Sequence, residues 1–369
     1  MRCVDRVELL ATMRSGALDA IIAVGAPGWF DAQSAREATR AGIRVVGIAG
    51  NALEAEALEG RGAAVLDVGS SVGQIVDACR SEPATTPVVA PIESSDARSG
   101  DVVVVWGPKG SPGRTTIAIE LAFALAATKE QTVLVDADPY GGDALQMLGI
   151  AEELPSVLWA ATAAASDESR KDLVKQLRML GNGGPLLIPG LPRAELWSEV
   201  AEYGFAELVK LLALSARFVV FDIGFCLEDS TSVAGVRDDR NLMARSALAR
   251  ADRVVAVCRA DPIGVKNFIW SFDSLRDFVD DDRISVVLNR SFGGERAEFD
   301  DLLARHTGFR PVVAFPDKPH DCRRAIEHGG ALQEVRPSSE ICAQARTLAE
   351  RLGGKIRPQG LLARLGGRS

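Results

Sequence analysis

The sequence predicts an α/β protein in which a doubly wound, mostly parallel sheet is preceded by a smaller α/β domain. Short apolar runs alternate with helical stretches in both halves of the 369-residue chain, which is typical of βα units. A segment dominated by Pro, Ser, Thr and Ala separates the halves, as expected of a linker. A glycine-containing turn follows the first strand of the second half, where such sheets bind ligands.

These patterns divide the chain into four parts. The small domain occupies 1–80, the linker 81–100, the larger domain 101–354 and a basic tail 355–369. In the small domain, continuous apolar runs are typical of strands buried on both faces of a parallel sheet. They lie at 17–25, 43–50 and 63–69. Stretches of helical character lie at 32–42, 51–62 and 72–80.

The larger domain repeats the alternation with longer apolar runs. Seven strands are predicted, at 102–106, 132–138, 185–190, 217–224, 253–258, 284–290 and 310–316. Helical stretches separate them, among them 114–130, 206–216 and 269–279. About seven mostly parallel strands with intervening helices indicate a doubly wound sheet.

Composition narrows the class of protein. A net charge of −8 argues against a broad basic surface for nucleic acid, so we expect no DNA partner. The six cysteines form no C-x-x-C pair, which favours reduced thiols in a cytoplasmic protein. The amino-terminal residues have no signal-peptide pattern, and no apolar run reaches about 18 residues.

The stretch VVVVWGPKGSPGRTT, at 102–116, approaches the phosphate-binding pattern G-x-x-x-x-G-K-[ST]. Gly110 and Gly113 allow backbone angles that turn amide N–H groups toward an anion. The helix that begins near Arg114 adds its positive end. Thr115 is placed to give a hydroxyl to Mg²⁺. The residues alone leave open a βα turn that binds nothing.

Carboxylates follow two of the apolar strands. Asp136 and Asp138 close the run VLVDAD, and Asp222 closes FVVFD in the position of a Walker-B Asp that serves Mg²⁺. Single aspartates at strand ends often cap turns. Three of them beside a loop of this kind favour a nucleotide and metal site.

The run PKGSPGRTT resembles the deviant Walker A loop of the MinD/ParA class, K-G-G-x-G-K-[ST]-[ST]. The resemblance continues in order through VLVDADPYGGDALQMLG, RFVVFDIG and VVLNR, and implies a P-loop NTPase fold with ATP and Mg²⁺ as cofactors. It implies catalytic roles for Lys109, which crosses to the partner in an ATP-enclosing homodimer, and for Asp138, which activates water. It implies Mg²⁺ ligation or support by Thr115, Asp136 and Asp222. The nucleotide-binding residues that it implies are Gly110, Ser111, Gly113, Arg114, Thr115, Thr116 and, for adenine, Asn289.

The first domain resembles the later strands of a response-regulator receiver. Val24 stands where a receiver has its phosphorylated Asp, and Gly69 stands where it has its active-site Lys. A degenerate, shortened receiver before a MinD-like domain resembles the CpaE/TadZ group. That resemblance implies protein partners in Tad pilus assembly or septum placement. It also implies a cytoplasmic location that is polar or septal and peripheral to the membrane.

Several residues depart from the MinD/ParA pattern. Arg114 replaces the loop lysine, and its wide guanidinium either pairs with phosphate or fills the phosphate position. Pro112 removes an amide donor, and Ser111 replaces a glycine that takes positive φ. We therefore expect weak to moderate ATP binding with slow or absent hydrolysis. The alternatives are a cycling ATPase for septum placement or DNA partition, and a nucleotide-free scaffold.

The tail carries Lys355, Arg357, Arg364 and Arg368 without an acid. Its prolines and glycines leave room for barely two helical turns, less than a stable interfacial helix needs. We expect a disordered basic tail and at most weak membrane association.

Overall fold

The fold is taken from a computed structural model of the chain. The structure describes residues 18–25, 42–59, 63–80, 100–230 and 239–354 except 295, together with the isolated positions 3, 8, 9, 12, 13, 30 and 38. Two compact units are present, Met1–Asp96 with Ser230–Asp238, and Ala97–Asp229 with Asp239–Ser369. The predicted linker, apart from residue 100, and the predicted tail lie outside the described residues, so the four-part division stays a prediction.

The first unit contains a three-stranded parallel sheet in the order β1–β2–β3. Its strands are β1 Ala20–Val24, β2 Arg44–Ala49 and β3 Ala64–Asp67, and its helices are α1 Ala52–Glu59 and α2 Val72–Arg80. The small parallel α/β unit is therefore confirmed. The helix predicted at 32–42 falls almost wholly outside the described residues.

The second unit is built on an eight-stranded sheet in the order β11–β10–β9–β4–β8–β5–β7–β6. The strands are β4 Asp101–Trp106, β5 Thr132–Ala137, β6 Arg178–Met179, β7 Leu186–Ile188, β8 Phe218–Ile223, β9 Arg253–Arg259, β10 Ile284–Ser291 and β11 Val313–Pro316. All neighbouring pairs are parallel except β6 and β7. The mostly parallel sheet is confirmed, with one addition. The two-residue strand β6 is too short to leave a periodic signal in the sequence.

Helices cover both faces of this sheet. They are α3 Arg114–Ala126, α4 Ala144–Met147, α5 Val157–Ala164, α6 Asp167–Arg170, α7 Glu202–Ser215, α8 Leu242–Leu248, α9 Pro262–Arg276, α10 Arg296–Thr307, α11 Pro319–His328, α12 Leu332–Val335 and α13 Glu340–Arg351. Strand β4 shows the doubly wound arrangement directly. Val103 and Val105 pack with α3 and α13 on one face, whereas Val102 and Val104 pack with α7 and α8 on the other. Successive strand residues point to opposite faces of a sheet. Both faces of an entirely apolar strand are therefore apolar, which is typical of a strand covered by helices on both sides.

Local signals explain where several helices begin. The Asp261 carboxylate accepts a hydrogen bond from the Gly264 N–H at 2.8 Å, and Pro262 occupies the first turn of α9. Both features stabilise a helix amino terminus. Among the described residues, no helix combines the length and apolar character needed to cross a bilayer.

A buried acid ties α3 to the carboxy-terminal helices. Glu120 Oε1 accepts a hydrogen bond from the Leu332 N–H at 2.7 Å, and Gln333 Nε2 donates to the Glu120 carbonyl at 2.7 Å. Burial raises the pKa of Glu120 to about 7. The helix that follows the glycine-containing loop is therefore anchored by polar bonds as well as by apolar packing.

Helix α7 offers a matched test of the core. Leu208 is fully buried against the sheet, whereas Leu214 on the same helix is 63% exposed. We expect Leu208→Ala to lower the free energy of unfolding by about 2–5 kcal/mol, because it leaves a cavity. Leu214→Ala should change it by less than about 0.5 kcal/mol. Urea unfolding measures both, and equal effects would contradict this account of the core.

Candidate functional site

The loop at 107–113 leaves the carboxyl end of β4, near the centre of the sheet. Strand β4 lies between β8 and β9, where the chain changes direction across the sheet. Ligand sites of open α/β sheets occupy such switch points. The loop also leads directly into α3, whose first residue is Arg114.

The loop uses backbone conformations that most residues avoid. Gly110, Ser111 and Gly113 have φ values of 103°, 51° and 97°. The positive φ expected at Ser111 is therefore observed in a residue with a side chain, which costs conformational energy. A Cβ placed on Gly113 would lie 2.2 Å from Asn289 Nδ2, so this position also lacks space for a side chain.

Side chains from three other elements bind carbonyl groups of the loop. Asn267 Nδ2 donates to the Lys109 carbonyl at 3.3 Å, and Arg259 Nη1 donates to the Gly110 carbonyl at 2.9 Å. Asn289 Nδ2 donates to the Pro112 carbonyl at 2.7 Å. These donors come from α9, β9 and β10.

The loop N–H groups are left for another partner. Among the described residues, nothing accepts a hydrogen bond from the backbone N–H groups of Gly110, Ser111, Gly113 or Arg114. The amino terminus of α3 adds the positive end of its helix dipole. A loop with bound carbonyls and unbound N–H groups is suited to hold an anion.

Arg114 lies between the start of the loop and Asp138. Its Nη1 donates to the Gly107 and Pro108 carbonyls at 3.1 Å and 3.3 Å, and its Nη2 pairs with Asp138 Oδ2 at 3.1 Å. Nε is buried and has no hydrogen-bond partner among the described residues. The guanidinium is therefore occupied by protein groups, where the sequence left open whether it would face phosphate.

Two buried carboxylates lie side by side beneath this loop. Asp136 on β5 and Asp222 on β8 are register partners and are 0% and 1% exposed. Asp136 accepts hydrogen bonds from the Ala144 N–H at 3.1 Å and the Asp138 N–H at 3.3 Å. Neither oxygen of Asp222 has a partner with ordinary hydrogen-bond geometry among the described residues.

This burial changes the acidity of both groups. Burial raises the pKa of Asp222 to about 8, and repulsion from Asp136 adds to the rise. Arg114 and the nearby Thr115 hydroxyl oppose it. Burial also raises the pKa of Asp136 to about 7. A cation at this place would return both groups to their charged forms.

The donor set fits Mg²⁺. Magnesium takes oxygen ligands and commonly keeps one or two carboxylates together with substrate phosphates and water. Asp222 supplies two unpartnered oxygens, and Thr115 supplies a hydroxyl beside it. Among the described residues, no cluster of three or more His, Cys, Asp or Glu side chains is arranged to hold a metal. A metal here would therefore need ligands from a bound anion.

The remaining residues singled out from the sequence lie around the same loop. Lys109 is exposed at its crest, and Thr116 is half-buried in the first turn of α3. Asn289 is 9% exposed, and its Oδ1 accepts a hydrogen bond from the Arg290 N–H at 2.9 Å. Its amide is thus engaged within the protein on both sides, and its contact with adenine stays a prediction.

Some participants were missed from the sequence. Arg259 and Asn267 bind the loop from distant positions, and the sequence analysis assigned neither of them to the site. Tyr140 was not singled out either, although its hydroxyl donates to Asn241 Oδ1 at 2.9 Å and its ring lies 4.2 Å from the Arg240 guanidinium. Its position two residues after Asp138, at the end of a strand, was the sequence feature that could have marked Tyr140 as part of the site.

Fold and site together define a nucleotide-binding α/β domain of the P-loop type. Residues 103–315 match the CbiA family, described as the CobQ/CobB/MinD/ParA nucleotide binding domain. The chain belongs to this family, which confirms the MinD/ParA resemblance.

Relatives agree with the assignment. The septum site-determining protein MinD of Thermotoga maritima is 25% identical over 264 residues, covering 69% of this chain and 89% of that protein. A ParA family ATPase from Chlorobium tepidum has a TM-score of 0.58 at 18% identity, covering 68% of this chain and 99% of its own. MinD from Pyrococcus horikoshii, solved with Mg-ADP, has a TM-score of 0.54 at 17% identity, covering 69% and 96%. The two structures support the fold.

The raised pKa of Asp222 predicts a pH effect on stability. An unfolded aspartate has a pKa near 4, so the metal-free folded protein loses stability as pH rises from about 4 to 8. We expect Asp222→Asn to be more stable than the natural protein by about 1–3 kcal/mol at pH 8.5 and nearly equal at pH 5. Thermal unfolding in EDTA measures this, with Asp143→Asn, at an exposed position, as the control. A pH dependence unchanged by Asp222→Asn would contradict it.

Gly113 predicts a second effect. Gly113→Ala should lower the free energy of unfolding by about 1–3 kcal/mol, because it combines positive φ with a close approach to Asn289. Gly293→Ala is the control, since its Cβ meets no atom within 4 Å. The loss should shrink, without vanishing, in an Asn289→Ala background. An equal loss in both backgrounds would show that the contact is irrelevant.

Proposed function

We propose that this chain is an ATP-binding positioning protein of CpaE/TadZ type. In this role it recruits pilus-assembly or septum machinery and hydrolyses ATP slowly or not at all. The observation that carries the proposal is the loop with unpartnered N–H groups above the unpartnered carboxylate of Asp222. Family membership and the septum site-determining relative support it.

In this proposal the loop binds the phosphates of ATP. The N–H groups of Gly110, Ser111 and Gly113 and the start of α3 receive phosphate oxygens. Thr115 and Asp222 hold Mg²⁺, and Asp136 supports it from the adjacent strand. When bound, Mg²⁺ supplies the positive charge that offsets the phosphates and the buried carboxylates. Thr116 lies one position further into α3, and Asn289 contacts adenine.

Slow turnover follows from the residues that would do the chemistry. Asp138, the group assigned to water activation, is paired with Arg114 at 3.1 Å. Arg114 also replaces the compact lysine of the loop pattern with a planar fork. In this proposal Lys109, exposed on the loop crest, reaches the phosphates bound by a second copy. The ATP-dependent homodimer is the state that recruits partners.

The first unit supplies the docking surface in this scheme. Its parallel strands and helices are in keeping with a shortened receiver, and Val24 and Gly69 remove the chemistry of phosphorylation. Val24 is 66% exposed at the end of β1. We propose that this unit binds protein, and that the whole is cytoplasmic, polar or septal, and at most weakly peripheral to the membrane. A complex of MinC with MinD from Aquifex aeolicus is a precedent for a protein partner in that relative.

Calorimetric titration with Mg-ATP tests the proposal. The natural protein should bind, and Arg114→Lys should bind about ten- to hundredfold more tightly, because it restores a compact charge to the loop. Arg310→Lys, at an exposed ion pair with Asp301, is the matched control.

Absence of binding by both the natural protein and Arg114→Lys would favour the nucleotide-free scaffold instead. Rapid phosphate release by the natural protein would favour the cycling ATPase.

A further inference from the structure

The contact between Arg114 and Asp138 joins two parts of the site. The two side chains are 13% and 14% exposed, so solvent screens their attraction only in part. The guanidinium divides its donors between this carboxylate and the carbonyls of Gly107 and Pro108. Phosphate oxygens bind guanidinium donors in the same forked manner as a carboxylate. An anion in the loop and Asp138 therefore compete for one cation.

Asp138 connects Arg114 to the turn that follows β5. Its Oδ2 binds Arg114, and its Oδ1 accepts a hydrogen bond from the Tyr140 N–H at 2.9 Å. A single carboxylate thus sets both the direction of the guanidinium and the backbone turn after β5. The position of that carboxylate is therefore linked to the turn at Tyr140.

Tyr140 and its neighbour are held from the other side by the residues that precede α8. The Tyr140 hydroxyl donates to Asn241 Oδ1 at 2.9 Å, and Arg240 Nη2 donates to the Pro139 carbonyl at 3.1 Å. The Arg240 guanidinium lies 4.2 Å from the centre of the Tyr140 ring. Asn241 in turn donates from Nδ2 to Cys226 Sγ at 3.4 Å. These contacts form a continuous path from the loop to Cys226.

We propose that the Arg114–Asp138 pair is an autoinhibitory latch. Closed, it keeps the loop cation from a phosphate and holds residues 138–140 against 240–241. A bound nucleoside triphosphate draws Arg114 away, and the freed carboxylate loosens Tyr140 from Asn241. The inference rests on the proposed function, since the opening ligand is the nucleotide. It adds that nucleotide binding at the loop changes the contacts of residues 240–241, immediately before α8.

Asp138→Asn opens this latch with the smallest change. Asparagine keeps an oxygen that can accept from the Tyr140 N–H but loses the charge that holds Arg114. Asp143→Asn is the matched control, because it removes the same charge from the same connection after β5. Asp143 is exposed and makes neither contact. Circular dichroism melts confirm that each variant is folded.

The first measurement is the affinity for AMPPNP with Mg²⁺ by calorimetry. Asp138→Asn should bind about tenfold more tightly than the natural protein, whereas Asp143→Asn should match it. The second is the rate at which iodoacetamide alkylates Cys226, resolved by peptide mass spectrometry with the buried Cys342 as reference. Without nucleotide, Cys226 should react severalfold faster in Asp138→Asn. In the natural protein it should reach that rate only with the analogue bound.

Each contrary result has a distinct meaning. Equal binding by the natural protein and Asp138→Asn overturns the latch and leaves the proposed function standing. An equal gain in AMPPNP affinity in Asp143→Asn also overturns the latch, because the gain would then come from the loss of a negative charge anywhere in this region. An unchanged Cys226 rate overturns the path through Tyr140. Absence of binding by both the natural protein and Asp138→Asn overturns the latch and the nucleotide-binding function together.

Discussion

The shape of the loop between β4 and α3 depends on side chains that bind its carbonyl groups. Carbonyls turned toward solvent or a ligand would place lone pairs where an anion is to be received. Here four side chains hold five of them, and the N–H groups remain for another partner. The pairs are Arg114 with Gly107 and Pro108, Asn267 with Lys109, Arg259 with Gly110, and Asn289 with Pro112. The anion-binding character of the site therefore depends on residues from α9, β9 and β10 as much as on the loop.

Charge balance constrains the same region. Asp136, Asp138 and Asp222 gather at the ends of β5 and β8, and Arg114 is the cation paired among them. Buried carboxylates without a cation resist ionisation, as the raised pKa values of Asp136 and Asp222 show. In the proposed function, phosphate alone would add negative charge beside carboxylates that already resist ionisation. If the proposed function holds, nucleotide and magnesium therefore bind as a pair.

Local sequence predicts local structure well in this chain. Apolar runs such as 102–106 lie in strands buried on both faces, and the strand-end aspartates meet because parallel strands share an edge. The partners of the loop were not predictable in the same way. Arg259 and Asn289 reach it from 149 and 177 positions away from the carbonyls that they bind. The direction of Arg114 was also undecided, because carboxylate and phosphate satisfy a guanidinium equally.

The close approach of Gly113 and Asn289 constrains how these two positions can change during evolution. An alanine at 113 collides with the amide at 289, while a smaller residue at 289 abandons the Pro112 carbonyl. Each substitution alone lowers stability, so changing both residues one at a time passes through a less stable intermediate protein. We therefore expect positions 113 and 289 to covary among homologous chains.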